Sequence, residues 1–425
     1  MAKAKKTTLA LVSLGCAKNA VDLQVMAGNL LKKDCTLSPD PDRADVVIVN
    51  TCAFIASARE EAEAEIVRAL QLKANGNYGK VIVTGCYPKR YPKAHARFPG
   101  VDVWQGVPEE WIEPKMPELR FTGKAFAYLK IAEGCAHKCS YCAIPGIRGK
   151  YRSRPMASIL KEARALLKSG CRELNIVAQD PMLWNEKVKG KGEGEERMLR
   201  LPDLLWKLDK LPGDFWVRVL YSYPSEITEE FLDWLVNAKH AVRYVDVPLQ
   251  HTVPEVLAKM NRKGAIQASL VAAEALRQCV PGITLRTTIM TGFPGETEVR
   301  FKTMLADLRR MQFDHLGAFA YSPEEGTKGA KMKGRPSRKV AEAREKLVMQ
   351  DAERLWKVKS ARMLGQVFDA LCVAPGVVRM KSQAPDVDGV VYLLDSPAAR
   401  RIGVGDFTKV RLVRACGFDF EGEIA

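Results

Sequence analysis

The apolar residues of the first hundred positions come in short aliphatic runs, at 9–14, 46–49 and 81–83, without strict alternation. A strand that is apolar toward both sides is buried on both faces, the habit of parallel sheets covered by helices. Between these runs the spacing turns helical. Residues 20–32 repeat apolar positions at near-helical intervals, and 56–73 is dense in the helix formers Ala, Glu, Leu and Arg. Strand then helix, repeated, predicts a parallel α/β sheet, and a Pro-rich passage over 88–117 ends the unit.

The alternation resumes with strand signals at 129–132, 173–177, 215–220, 241–247, 284–290 and 316–321, and a helix over 158–167. About six βα units in roughly two hundred residues suit a partial or full barrel with its site at the carboxyl ends of the strands. Residues 187–197, rich in Lys, Gly and Glu, read as a mobile insertion. A charged helix is expected over 337–364. The pattern then changes to short strands and turns, including 387–392 and 408–413, as in a small antiparallel β-barrel. The fold expected is α/β in three domains: a parallel α/β domain over 7–118, a (βα)-barrel over 121–353 and a terminal β-barrel over 354–425.

Composition narrows the function classes. A chain of 425 residues exceeds what one core usually supports, and 47% hydrophobic content is ordinary for a globular protein. Eleven cysteines, an odd number, read as metal or catalytic thiols and not as a disulfide framework, so no stable disulfide partner is expected. The run 9–14 ahead of Cys16 has the look of a secretory signal or lipobox but is too short and contains Ser13. No run is long enough for a membrane span, and a cytoplasmic location is expected. A net charge of +16 favours a polyanionic partner such as RNA or a ribosome, although the lysines are spread along the whole chain.

The chemistry lies in the thiols. Cys135, Cys139 and Cys142 stand at i, i+4 and i+7 in one short loop, with no fourth cysteine near. Cys16, Cys52 and Cys86 each follow a β-forming run, so parallel strands would bring them to one sheet edge, where open α/β sheets bind ligands. Gly15 and Gly85 precede two of them and would let backbone approach a bulky group. Three thiolates on a cubane leave one iron open, whereas zinc prefers Cys-x-x-Cys pairs and would need His137 as fourth ligand. Cys35, Cys171, Cys279, Cys372 and Cys416 lack ligand spacing and read as ordinary buried thiols.

The loop Cys135-Ala-His-Lys-Cys139-Ser-Tyr-Cys142 resembles the Cys-x-x-x-Cys-x-x-Cys signature of radical S-adenosylmethionine enzymes, with Tyr141 at the usual aromatic position. That resemblance implies a [4Fe–4S] cluster whose open iron chelates S-adenosylmethionine and whose electron cleaves it to a hydrogen-abstracting 5'-deoxyadenosyl radical. With Ser13-Leu14-Gly15-Cys16-Ala17-Lys18-Asn19, Asn50-Thr51-Cys52 and Thr84-Gly85-Cys86-Tyr87 added, nearly the whole chain resembles the methylthiotransferases. The resemblance implies a second [4Fe–4S] cluster on Cys16, Cys52 and Cys86, and a terminal TRAM domain. Ser13 to Asn19, together with Ser382 to Tyr392, is similar to the branch that modifies an aspartate β-carbon in a ribosomal small-subunit protein. The alternatives are the tRNA-adenosine branch and a non-enzymatic zinc-dependent RNA-binding protein. An electron-donor protein is an implied partner, and the substrate could be met in the ribosome.

Asp22-Leu23-Gln24 and the residues after Asp180 depart from the family pattern without removing a thiol. For the cofactor, Gln179 and Asp180 end the second barrel strand, Pro248 and Leu249 end another, and Gly292 and Gly295 form a turn after a third. Asp180 could equally cap a helix. Arg218 and Arg286 lie on predicted strands, where a buried guanidinium needs an anion, either the cofactor carboxylate or a neighbouring Asp. His251 is a pocket residue or a structural histidine. Tyr392, Phe407, Phe418 and Phe420 form no stacking series and read as filling of the small barrel, which leaves docking onto protein as plausible as onto RNA.

Overall fold

A computed structural model describes residues 6–107, 113–189, 196–262 and 273–425. The amino-terminal runs form parallel strands Thr7–Ser13, Ala44–Thr51 and Tyr78–Gly85, linked by helices Ala17–Leu31 and Ala56–Ala74. Two short strands, Cys35–Leu37 and Val103–Gly106, complete the edges of this five-stranded sheet. The second lies inside the Pro-rich passage that the sequence reading took as a terminator. Val47, Val49, Val81 and Val83 are fully buried against Ala62 and Ile66 of the Ala56–Ala74 helix.

The next unit is an open barrel of six parallel strands in two hydrogen-bonded groups. Phe126–Lys130, Glu173–Val177 and Trp216–Val219 form one group; Tyr244–Asp246, Thr284–Thr291 and His315–Ala320 form the other. Single bridges, Val217 to Ala241 and Gln250 to Ile289, extend the pairing between and beyond them. Helices wrap the outside with their apolar faces inward; Met156–Lys168 buries Ile159, Ala163 and Leu166. Side-chain oxygens of Thr228, Thr297 and Ser337 accept backbone N–H groups at the starts of three helices, each worth about 1 kcal/mol.

Two expectations are corrected here. Residues on both sides of 190–195 are not loose: Asn185–Lys189 and Glu196–Arg200 pair as an antiparallel hairpin in unbroken register. The tip of that insertion, 190–195, lies outside the described residues. Helix Arg338–Met363 runs straight through the division expected at 353/354, so the terminal barrel begins only at Val367. That barrel closes from five strands and is antiparallel except where Val391–Leu393 pairs in parallel with Asp419–Ile424. Trp356 from the long helix shares its core with Phe420 and Val410. Of the aromatics expected to fill it, Phe420 does so and Phe418 packs at its margin, while Tyr392 and Phe407 are exposed.

The terminal barrel is wedged against the open interior of the (βα) unit. Phe126, Tyr128, Trp216 and Tyr244 from the barrel strands pack with Leu371 and Ala384. Among the described residues no helix is long and apolar enough to cross a membrane.

Candidate metal centre

The parallel register aligns Ser13 with Asn50 and Asn50 with Thr84, so the three amino-terminal strands end level. Cys16 starts the helix Ala17–Leu31, Cys52 follows its strand directly and Cys86 opens the short helix Cys86–Arg90. Gly15, at φ 86°, lies so close to Cys52 that a Cβ there would stand 2.6 Å from the Cys52 Cβ and 3.0 Å from its sulfur. Asn19, buried completely, donates to the Leu14 carbonyl at 2.7 Å and the Thr51 carbonyl at 3.2 Å, which ties the first two cysteine turns together. Its motif was visible in the sequence, but this staple was not.

The thiols of each trio also act on one another. Burial raises the Cys52 thiol, and the charge of Cys16 raises it further. Burial pushes Cys86 up to about 11 despite Arg148, with Cys52 and Cys16 adding to the rise. Cys16 is open to solvent, yet enough protein surrounds its sulfur for desolvation to oppose ionisation; Lys18, the Asn19 N–H and Arg148 outweigh it, and the thiol falls below its usual range. In the second loop burial lifts Cys135 to about 11 and Cys142 to about 12, and Cys139 raises both. Thiols this crowded ionise together only around a cation, and metal binding is what releases their protons.

The second loop is held by its middle. Ser140 donates its N–H to the Met260 carbonyl at 3.0 Å and its hydroxyl to the Lys259 carbonyl at 2.7 Å, and its own carbonyl accepts from the Gly329 N–H at 2.6 Å. Tyr141 meets Phe293 edge to face. The zinc reading finds no support in His137: its Nε2 lies 2.5 Å from Asp180 Oδ2 and its ring stacks on Tyr223 at 3.9 Å. Among the described residues no three His, Cys, Asp or Glu side chains close on a point that could hold a single ion. Cubane ligands bind separate irons and need no common point.

A buried arginine reaches one sulfur in each trio. Arg262 Nη1 is 3.8 Å from Cys139 Sγ, and the guanidinium stacks over Tyr223 at 4.3 Å. Arg148 Nη2 donates to Cys86 Sγ at 3.2 Å and to Asn19 Oδ1 at 2.9 Å, while Nη1 donates to Asp22 at 2.5 Å and to Glu133 at 3.3 Å. Arg148 sits just past Cys142 on helix Ile144–Arg148, so one side chain joins the two cysteine loops. Burial raises the Asp22 carboxyl, but Lys130 and Arg148 hold it below its ordinary range.

The expected cofactor contacts divide. Gln179 donates to Glu133 at 3.0 Å, and its Oε1 is buried with no hydrogen-bond partner. Asp246 Oδ1, Ser222 Oγ and Gln250 Oε1, all at or beyond the carboxyl ends of barrel strands, are orphaned likewise. Buried polar atoms without partners are rare enough to demand a ligand or water, and these are a signal the sequence reading missed. Asp180 caps Met182 with Oδ1 while Oδ2 faces His137. The Pro248 carbonyl accepts from Arg262 at 2.6 Å, and Leu249 is buried. Gly292 abuts Ala341 and Gly295 abuts Lys259, each closer than a Cβ would allow. Arg218 pairs with Glu173 at 2.8 Å and Arg286 with Asp388, so of the two anions weighed for them the structure supplies protein carboxylates. His251 is fully buried; its Nδ1 accepts from the Val253 N–H at 3.0 Å, while its Nε2 lies 3.3 Å from Glu296 without a hydrogen-bond partner. The expectation that the spare thiols are buried is corrected in part: Cys171 and Cys372 are, Cys35 is half-buried, and Cys279 and Cys416 are exposed.

A three-cysteine loop above a parallel βα barrel, with orphaned polar atoms at the strand ends, defines a radical S-adenosylmethionine enzyme. The chain matches the Radical SAM superfamily over residues 129–308, the uncharacterized protein family UPF0004 over 8–106 and the TRAM domain over 367–425. The radical methyltransferase TsrM of Kitasatospora setae shares the fold at a TM-score of 0.52, with 17% identity over 74% of this chain and 73% of that one. Ribosomal protein uS12 methylthiotransferase RimO of Moorella thermoacetica is 39% identical over 98% of this chain and 99% of its own length. The protein of that name from Geobacter sulfurreducens is 37% identical over 99% of both. The chain belongs to this methylthiotransferase family, a transferase family that uses a [4Fe–4S] cluster and S-adenosylmethionine.

Proposed function

We propose that the protein adds a methylthio group to the β-carbon of an aspartate in ribosomal protein uS12, with one [4Fe–4S] cluster on Cys135, Cys139 and Cys142 and a second on Cys16, Cys52 and Cys86. The observation that carries this reading is Arg148, which follows the Cys135, Cys139 and Cys142 loop in the chain and donates to Cys86 Sγ of the other trio. The relatives' shared name supports the substrate.

When bound, the clusters and cofactor supply one-electron cleavage of a sulfonium, hydrogen abstraction and a transferable sulfur. The chain's own residues set the stage for this. Gln179 presents its free Oε1 to the cofactor amino group, backed by Glu133, while Asp180 fixes the His137 side of the loop. Pro248 and Leu249 wall the site, and Gly292 and Gly295 let the Phe293 turn close behind Tyr141. Arg218 and Arg286 are already paired with Glu173 and Asp388 and serve as positioning residues beneath the strand ends. The buried network keeps water from the reacting carbon. We keep the divisions near 118 and 121 and set the last at the end of helix Arg338–Met363. The enzyme acts in the cytoplasm, on uS12 free or within the ribosome.

The test is anaerobic turnover with isolated uS12 and with tRNA, read by product mass. A methylthio adduct on the uS12 aspartate is expected; modification of tRNA alone refutes the assignment.

A further inference from the structure

We propose that the surface around residues 326–339 docks the acidic protein that delivers electrons to the Cys135, Cys139 and Cys142 site; the inference rests on the function proposed above. Residues 326–339, Gly-Thr-Lys-Gly-Ala-Lys-Met-Lys-Gly-Arg-Pro-Ser-Arg-Lys, hold six cations and no carboxylate. Lys328, Lys331, Lys333, Arg335 and Lys339 are exposed, and among the described residues none forms an ion pair. Arg338 pairs with Glu342. The carboxylates bordering the patch are the exposed Glu325 and Glu60, together with Glu324, which is buried against Arg90.

Two observations place this charge at a redox site instead of on an ordinary solvated face. The backbone of the segment is bonded to the cysteine loop itself, Gly329 N–H to the Ser140 carbonyl at 2.6 Å. Beside it opens a cavity of about 450 Å³ whose wall includes Cys142, Pro145, Arg90, Glu325 and Gly326. Cys142 thus borders a cavity that reaches the first residue of the basic segment, with Glu325 the one carboxylate on its wall. Cleavage of the cofactor sulfonium consumes one electron that the substrates do not supply. A reduced one-electron carrier gives that electron to the cluster and leaves oxidised; the electron then passes to the sulfonium, whose carbon–sulfur bond breaks. Such a carrier must bring its redox group close and leave quickly. Complementary charge serves that need, because it steers encounter and is released by salt. An RNA site would show aromatics for base stacking, and 326–339 contains none.

The experiment compares holoenzyme with the K328E/K331E/K333E variant, following 5'-deoxyadenosine release driven either by a reduced acidic ferredoxin at varied concentration or by dithionite. The expected result is a KM for ferredoxin raised roughly tenfold at low salt, converging with wild type at high salt, with the dithionite rate and iron content unchanged. An unchanged ferredoxin KM overturns the proposal. So does an equal fall in the dithionite rate, which assigns the charges to structure, and so does loss of ribosomal RNA binding with ferredoxin KM intact. Failure of wild type itself to hold iron or cleave the cofactor with dithionite sinks the functional reading instead.

Discussion

Arg148→Met removes one cation from a buried group of four charges. Arg148 and Lys130 face Asp22 and Glu133, and the Arg148 side chain is 1% exposed, so solvent does not screen it. Without the guanidinium, Lys130 alone must serve two carboxylates, and Asn19 Oδ1 and Cys86 Sγ lose their donor. Removing one partner of a buried pair costs ~3–5 kcal/mol. Asp22 is 22% exposed and can recover some hydration, which puts the expectation at the low end, ~3 kcal/mol. The assay is anaerobic urea unfolding followed by near-ultraviolet signals, with Asp22→Asn and the double variant alongside. Asp22→Asn in the Arg148→Met background removes the orphaned charge, so the pair should couple by roughly 1–3 kcal/mol. Strict additivity, or a single-variant cost under ~0.5 kcal/mol, would refute the buried network as the link between the two cysteine loops.

Other perturbations separate the remaining parts. Replacing Cys16, Cys52 and Cys86 by Ala should halve iron from roughly eight per chain and abolish methylthio transfer, while dithionite-driven 5'-deoxyadenosine release persists. Gly15→Ala should lower iron at the same site alone, because its methyl would collide with the Cys52 side chain at a φ of 86°; iron analysis of the Cys135, Cys139 and Cys142 triple variant carrying this change checks it. Burial raises the Asp246 carboxyl, Arg286 resists and Asp388 adds, leaving it at about 6. The folded chain thus binds this proton more tightly than the unfolded one. Its stability is full below pH ~4 and is lost as pH rises through ~6, so Asp246→Asn should gain ~3 kcal/mol on wild type between those limits. A pH-independent difference in urea midpoints would contradict this. Asp388→Ala strips Arg286, the Tyr244 hydroxyl (2.5 Å) and the Ala384 N–H (2.9 Å) of their acceptor; a loss of ~3–5 kcal/mol and early proteolysis near Val367 are expected.

What could be read in advance was whatever depends on local chain order. The runs at 46–49 and 81–83 lie inside observed strands because an apolar stretch buried on both faces has little alternative, and the spacing of Cys135, Cys139 and Cys142 is a local signature readable without the fold. Short edge strands such as Val103–Gly106 escaped notice, since a few residues beside prolines carry no periodic signal. The strands Asn185–Lys189 and Glu196–Arg200 were misread because their stabilisation comes from pairing with each other and not from apolar content. Arg148 was invisible for a different reason. Its partners Asn19, Asp22 and Cys86 lie over sixty residues away in the chain, and nothing local distinguishes a bridging arginine from a solvated one. The partners of Arg218 and Arg286 were open for the same cause.

Glu173, on a strand of the central barrel, is held between Arg218 and Arg379, the latter contributed by the terminal barrel. Tyr128 and Tyr244 likewise donate hydroxyl hydrogen bonds to Asp386 and Asp388, from the loop that follows. The last sixty residues are thus not an exchangeable reader appended to an engine. A chimaera that borrows this region from a relative must keep Glu173, Arg218, Tyr244 and Arg286 matched to it, and a chain cut before Val367 would leave the Arg286 guanidinium without the Asp388 carboxylate while Arg218 kept Glu173.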